Sequence, residues 1–410
     1  EDLVASACSA LHSACRSCPA NASKCSQYPQ VDALVINIID SFLACSSVLQ
    51  PLCAALHALA DCGSPSDVQA VFSKGLVHSL VQKCLPTLLN RDPGTGNFQD
   101  HRENLLTLLG ALCKNPAISF LIVEANGLVA LLDLLKSSGS VRSSPTVVSL
   151  LAKCVHQLLE SPEMQSEMQS QILLHGHSFL CSLLTRHLSN VSTVVDLCSL
   201  FRHICNKCPG GEVLESLQQD RNFMHVMRTI FQKHRTSKDA VRAATPVLQS
   251  LLTSGISHSS FLEEGLLVEI LFTLDTHSLS PRTITPIVNC IRNLIACDAV
   301  AWQELVSSPS LPTLFPRVLH SCVHHARGAR SCCSLADKLI IEDTAEASSL
   351  EVVTGMLESA SVMADFVKIL EVHCREERVI EAACWATYKT LRHSKLNRTR
   401  FIALQGTRRV

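Results

Sequence analysis

An internal repeat is the feature that most constrains the fold of this chain. Apolar helical segments end again and again in a turn that contains Cys, Asn or Pro, at spacings of about 43 to 52 residues. Aligning these turns produces one set of equivalent residues, the column positions: Ser13, Ala58, Gly110, Gln157, His203, Ser250, Asn293, Lys338 and Thr390. A repeat of this length is typical of units built from two or three helices, which bury their apolar faces only by stacking on one another.

A second landmark follows most column positions, where a Gly or polar turn opens another apolar helix. The clearest copies begin at Val31, Gly75, Gly127 and Gly265. In the copy from Gly127, apolar residues take the i, i+3, i+4, i+7 spacing of one helix face, at Leu128, Leu131, Leu132 and Leu135. Each unit is therefore predicted to contain a helix, a turn, a short helix and a long helix.

The composition agrees with a helical array and excludes some partners. Hydrophobic residues make up 47% of the 410 residues but aromatic residues only 4%, as expected where Leu, Val, Ala and Cys pack between helices. The formal net charge of −1 argues against nucleic acid as a partner, because no overall field attracts phosphates. No apolar run approaches the roughly 20 residues of a membrane span, so none is expected.

The unit resembles the armadillo repeat, and the segment LGALCKNPAISFLIVEANGLVALLDLL, which ends at Leu135, is its closest copy. The resemblance implies an all-α fold, a right-handed α-solenoid of about nine armadillo-like repeats that forms a single repeat domain over residues 1–410. The expected units cover approximately residues 1–45, 46–92, 100–138, 145–189, 191–235, 238–278, 281–323, 331–374 and, incomplete, 376–410. The ninth unit stops before its last helix, so further sequence or a partner is expected to cover that edge.

Cysteine and histidine clusters raise the question of a metal. Two CxxC pairs could bind zinc, but most of the 21 cysteines lie within apolar helical patterns, where a reduced thiol packs as a small hydrophobic group. The run HSCVHHARGARSCC is the better metal candidate, with His320, His324 and Cys332 as possible ligands. The structural interpretation is favoured throughout, so no cofactor is predicted, and a reducing, cytoplasmic compartment is expected.

No catalytic signature is present. The chain contains no phosphate-binding GxxxxGK[ST] or GxGxxG loop, no HExxH zinc motif and no GxSxG nucleophile turn. The sequence therefore predicts a non-enzyme, a scaffold or adaptor that binds protein partners on a curved helical surface.

In the armadillo family, a row of Asn side chains in a groove holds the backbone of an extended peptide. Here only Asn293 places Asn in the column, which argues against nuclear-import adaptor function. The partner-binding candidates at or near column positions are His203, Asn293, Lys338, Trp385 and Lys389. We expect more varied contacts, or a helix bound in the groove.

The C-terminal unit is basic, since no acid occurs from Ala382 to Val410. Its candidate contacts for an acidic surface are Lys389, Arg398, Arg400, Arg408 and Arg409. One interpretation is a solvated terminal face. The alternative is a structural component of a cytoskeletal assembly, microtubule or axonemal, that docks through this unit.

Overall fold

The computed structural model describes residues 1–89, 98–136, 144–160, 179–207, 217, 220–253, 259–340 and 347–404. Within these ranges the secondary structure is helical and contains no strand, which confirms the all-α prediction. Two stretches rich in turn residues, 90–99 (NRDPGTGNFQ) and 137–145 (SSGSVRSSP), are predicted from the sequence to be loops, and they lie mostly outside the described residues. The chain divides into two compact units, Glu1–Ile204 and Cys205–Val410.

In the first unit, a long helix that carries the column position is followed by shorter ones. Its helices are α1 (Asp2–Ser17), α2 (Pro19–Ser26), α3 (Val31–Phe42), α4 (Ser46–Cys62), α5 (Pro65–Val71), α6 (Lys74–Ser79) with a π-helical turn (Leu80–Cys84) and α7 (Leu85–Leu89), α8 (Phe98–Cys113), α9 (Pro116–Glu124), α10 (Gly127–Lys136), α11 (Pro145–Glu160), α12 (179–186) and α13 (Val191–Lys207), whose last turn enters the second unit.

The second unit repeats the same order. Its helices are α14 (Arg221–Lys233), α15 (Lys238–Leu252), α16 (Ser259–Glu263), α17 (Leu266–Thr276), α18 (Pro281–Cys297), α19 (Ala299–Ser307), α20 (Leu311–Cys322), α21 (Ala326–Leu339), α22 (Ala347–Leu357), α23 (Ala360–Val372), α24 (Glu377–His393) and α25 (Lys395–Ala403). The helices that carry the column positions are called the column helices. The eighth of them, α21, begins at Ala326, where the His325 imidazole accepts a hydrogen bond from the Gly328 amide and caps the helix.

The core of each compact unit is formed by its column helices. These are α1, α4, α8, α11 and α13 in the first unit and α15, α18, α21 and α24 in the second. Within the first unit, α1 packs on α4, α4 on α8 and α8 on α11; within the second, α15, α18, α21 and α24 pack in succession. Buried thiols fill part of these contacts, and the Cys154 Sγ donates to Leu106 O across α8 and α11 at 3.4 Å. Burial raises the pKa of both Cys198 and Cys290 to about 12, so these thiols remain protonated and behave as apolar groups.

A buried histidine recurs at the corner that leads into a column helix. These corner histidines are His187, His234, His277 and His373, each 8% exposed or less. Three residues after each one, a backbone N–H donates to the histidine carbonyl at 2.7–2.9 Å and closes the turn. The imidazole Nε2 atoms of His277 and His373 lie 2.8 and 2.9 Å from carbonyl oxygens of the preceding repeat, Arg235 O and Val323 O. A carbonyl only accepts, so Nε2 carries the proton and each bond joins two repeats.

Replacing His277 with alanine is expected to lower the free energy of unfolding by about 2 kcal/mol, because it removes a buried side chain and leaves the Arg235 carbonyl without its donor. Urea denaturation measures the effect. His324 is exposed near the corresponding corner of α21, and His324→Ala should change stability by less than about 0.5 kcal/mol. Equal effects of the two substitutions would contradict a structural role for the imidazole bond.

Among the helices of the described ranges, no single one is long and apolar enough to cross a membrane. The pair Asp100–Cys113 and Pro116–Glu124, which is bent by 119°, reaches that length and apolar composition only when both helices are taken together.

Candidate protein-binding surface

The column positions do not form a uniform row of exposed side chains. Ala58, His203 and Thr390 are buried, whereas Ser13 and Lys338 are exposed. Asn293 is half-buried, and its Oδ1 accepts from the Arg292 guanidinium at 2.9 Å. His203 is engaged within the stack, since its Nε2 lies 3.1 Å from Leu159 O. Of the predicted candidates, the fold brings Asn293 and Lys338 to equivalent positions on two adjacent column helices, α18 and α21.

The same two helices carry a row of bases, the basic strip, on their exposed or half-buried positions. Its members are Arg282, Arg292, Arg327, Arg330 and Lys338. Helix α18 contains no Asp or Glu, and α21 contains only Asp337. That carboxylate is already paired, because the Lys389 Nζ lies 2.9 Å from its Oδ1. The strip therefore has a local positive charge although the whole chain is nearly neutral.

Two bases of the strip, Arg292 and Arg330, influence each other electrostatically. Burial, and then the nearby guanidinium of Arg330, lower the pKa of Arg292. Across the described part of the chain, no carboxylate lies within ion-pair distance of either guanidinium. Two neighbouring guanidinium groups without an acid are suited to a carboxylate or phosphate, which each can bind with two parallel hydrogen bonds.

The three candidate bases of the C-terminal unit that the structure describes, Lys389, Arg398 and Arg400, all form bonds within the protein. The Lys389 Nζ donates to Asp337 O at 2.9 Å and to Ile340 O at 3.3 Å, and so caps the end of α21. The Arg398 guanidinium reaches Leu391 O at 3.3 Å, at the end of α24, and that of Arg400 donates to Glu358 O. Helix C-termini attract such cations because their last carbonyls have no intrahelical donor. Arg408 and Arg409 lie outside the described residues.

Trp385 lies on the face of α24 through which column helices pack on one another, away from the column position Thr390. Its side chain is 54% exposed and forms an edge-to-face pair with Tyr388, which is 52% exposed, at 6.0 Å between ring centroids. The positions that correspond to Trp385 in the two preceding column helices are Cys333 and Val288, and both are buried. In those repeats the next column helix covers the position.

The predicted metal candidates His320, His324 and Cys332 do not form one site. The His320 Nδ1 lies 3.0 Å from the Asp365 Oδ1, His324 is exposed, and Cys332 is fully buried against the Cys322 thiol. Among the described residues, the ligand atoms that lie close enough for one ion belong instead to His156, Glu160 and His203, within 4.8 Å of one another.

An apolar groove of about 660 Å³ lies on a different surface, between α17 and the turn that precedes α20. Val268 and Phe272 line it and are each 51% exposed. The Arg235 guanidinium stacks over the Phe272 ring at 4.8 Å and pairs with Glu269 at 2.7 Å, so this ring is held in place.

Comparison with known proteins identifies the fold of this chain but no specific relative. No protein-family model and no curated protein sequence matches this chain. A solved structure from a study of how a phosphorylation switch controls the interaction between cadherin and beta-catenin aligns with a TM-score of 0.59 at 15% identity. The alignment covers 91% of this chain and 63% of that one, so this chain spans less than two thirds of its length. The chain has the fold of the armadillo-like helical-repeat solenoids, as its sequence predicts.

Two further matches are weaker. A circular tandem repeat protein with a novel repeat topology has a TM-score of 0.27 at 14% identity, with 100% of this chain and 95% of that one covered. APUM23 bound to GGAGUUGACGG has a TM-score of 0.29 at 12% identity, with 93% and 97% covered. Neither score supports an argument about this chain.

Sequence reasoning did not find Arg292 and Arg330. A usable signal existed, since α18 has two arginines and no acid, but it becomes visible only when α18 and α21 are known to be neighbours.

Proposed function

We propose that this protein is a non-catalytic scaffold that holds an acidic segment of a protein partner on the basic strip. The observation that carries the proposal is the basic strip itself: the packed helices α18 and α21 present five exposed or half-buried bases, and their one acid, Asp337, is already paired with Lys389. Lys338 and the amide of Asn293 extend the same surface with further hydrogen-bond donors. A partner with carboxylates or phosphates would supply the missing charge.

The structural comparison supports a protein-binding role in general terms. The solved structure with the similar fold comes from a study of a protein–protein interaction that phosphorylation controls. Repeat stacks offer long surfaces of this kind, because each unit adds one set of exposed side chains to the next.

The proposal is tested by charge reversal on the strip. We expect the double variant Arg292→Glu, Arg330→Glu to bind a fluorescein-labelled oligoglutamate peptide about tenfold or more weakly than the unmodified chain, because two charge-assisted contacts become repulsive. Fluorescence anisotropy at low ionic strength measures the affinity, and binding to the unmodified chain should weaken as salt is added.

The matched control is Lys24→Glu, Lys233→Glu, which makes the same change in net charge at exposed bases on other helices. This variant should retain nearly all of the affinity. If both double variants lose affinity equally, the peptide responds to overall charge, and the strip is not the site. Circular dichroism of both variants shows whether the helices are intact.

A cytoskeletal role, which the sequence suggested through the basic C-terminal unit, is proposed here in a different form. Lys389, Arg398 and Arg400 are engaged with helix ends, so an acidic tubulin tail would bind the basic strip. Cosedimentation with microtubules should then be reduced by Arg292→Glu, Arg330→Glu. Undiminished cosedimentation of that variant would exclude the strip as the docking surface.

We also propose that the protein works in a reducing compartment, such as the cytoplasm. Burial of the thiols supports this, since Cys154, Cys198 and Cys290 are each fully buried within column helices and pack as reduced side chains. Secretion of the chain in an oxidised form with native stability would contradict the proposal.

A further inference from the structure

Three potential metal ligands meet where two column helices of the first unit end. His156 and Glu160 lie one turn apart on α11, and the His156 Nε2 is 3.8 Å from the Glu160 Oε1. His203 lies at the column position of the next helix, α13, and its ring meets the ring of His156 edge to face, 5.1 Å between centroids. One ligand atom from each of the three residues lies within 4.8 Å of the other two.

We propose that His156, Glu160 and His203 bind one divalent transition-metal ion, with Zn²⁺ as the best fit. Two imidazoles and one carboxylate are a common ligand set for zinc, and water completes the tetrahedron. Bond lengths near 2.0–2.1 Å require ligand atoms about 3.4 Å apart. Glu160 is 60% exposed and His156 28% exposed, so rotation of these two side chains can shorten the remaining separation.

The surroundings of His203 favour a ligand role. Its Nε2 lies 3.1 Å from Leu159 O, and the ring is 9% exposed. A histidine that donates one N–H to a backbone carbonyl has its ring orientation and its tautomer fixed. Metal-binding histidines are held in this way in many proteins.

Another repeat of the same chain carries counterparts of two of these three residues but not of the third. In the second repeat, His57 and Asp61 on α4 correspond to His156 and Glu160, but the next column residue there is Gly110, which supplies no ligand. The second repeat is therefore a register-matched comparison within the same chain. The proposed ion would join α11 to α13 and so connect two successive repeats.

The full chain, freed of metal with a chelator and kept reduced, is titrated with Co²⁺ as a spectroscopic substitute for Zn²⁺. We expect one equivalent to bind with the visible d–d absorption of a tetrahedral site and without the thiolate charge-transfer band that cysteine ligands produce. Zn²⁺ should displace the Co²⁺ and raise the Tm. His156→Gln, Glu160→Gln and His203→Gln should each weaken binding by about tenfold or more.

His57→Gln is the control, and it should leave the Co²⁺ spectrum and affinity unchanged. Glu160→Gln changes a largely exposed side chain, so this variant tests the ligand role even if the substitutions of histidine disturb folding. The proposal is overturned if the folded chain binds no stoichiometric Co²⁺. It is also overturned if a charge-transfer band shows cysteine ligation, or if any of the three ligand variants binds as tightly as the unmodified chain.

Discussion

Trp302→Ala is expected to lower the free energy of unfolding of the second unit by about 3–5 kcal/mol. Trp302 lies on the short helix α19 and is 3% exposed. Its indole Nε1 donates to Leu339 O at 3.1 Å, the carbonyl of the last residue of α21 in the next repeat. Truncation would leave a large cavity between two repeats and a helix-terminal carbonyl without its donor, so both losses add.

Urea denaturation followed by circular dichroism measures this effect. Trp302→Phe separates the two contributions, because it keeps an aromatic ring but removes the N–H donor, and it should cost about 1–2 kcal/mol. A loss of less than about 1 kcal/mol for Trp302→Ala would show that this contact does not stabilise the stack.

A graded result is expected when alanine replaces the glycine landmarks of three repeats. At Gly127, an added Cβ would lie 2.7 Å from Ile122 O and 2.5 Å from the Ile122 Cγ2. The backbone oxygen cannot rotate away, so Gly127→Ala should cost about 3 kcal/mol through overpacking. Gly265 has open space around it but a φ of +67°, and Gly265→Ala should cost about 1 kcal/mol in backbone strain.

Gly75 is the matched control, because an added Cβ would meet the Ile36 Cδ1 at 3.4 Å and the Ser73 Oγ at 3.9 Å, both ordinary contacts. Gly75→Ala should leave stability unchanged or raise it by up to about 1 kcal/mol, as alanine is the better helix former. Thermal or urea denaturation of the three variants gives the order. A ranking in which Gly75→Ala costs as much as Gly127→Ala would refute the steric explanation.

The glycine landmarks also show which features of the fold the sequence alone predicts and which it does not. The repeat and the helices followed from apolar spacing, which is a local property of the chain. The same landmark, however, has different physical causes: in one repeat Gly265 itself takes the left-handed conformation, whereas in another Asn126 takes it, at φ +58°, and Gly127 is required for space. A sequence pattern does not distinguish a conformational need from a steric one.

The candidate site was less predictable, because it depends on contacts between repeats. Asn293 and Lys338 were found from the column, but the pairing of Arg292 with Arg330 required the register of α18 against α21. The sequence presents Lys389 and Arg398 as available charges, because it does not give the positions of the helix ends whose carbonyls these two side chains cap. The cluster at His203 was missed for the same reason, since its members lie on two helices.

Two tryptophans are all that the sequence contains, and both lie in the second unit: Trp302 is 3% exposed and Trp385 is 54% exposed. Tryptophan emission, excited selectively over tyrosine, therefore observes only the second unit, with one emitter shielded from a soluble quencher such as acrylamide and one open to it. Ellipticity observes both halves. A fall in ellipticity that precedes any change in tryptophan emission would report the melting of residues 1–204 alone, without a label.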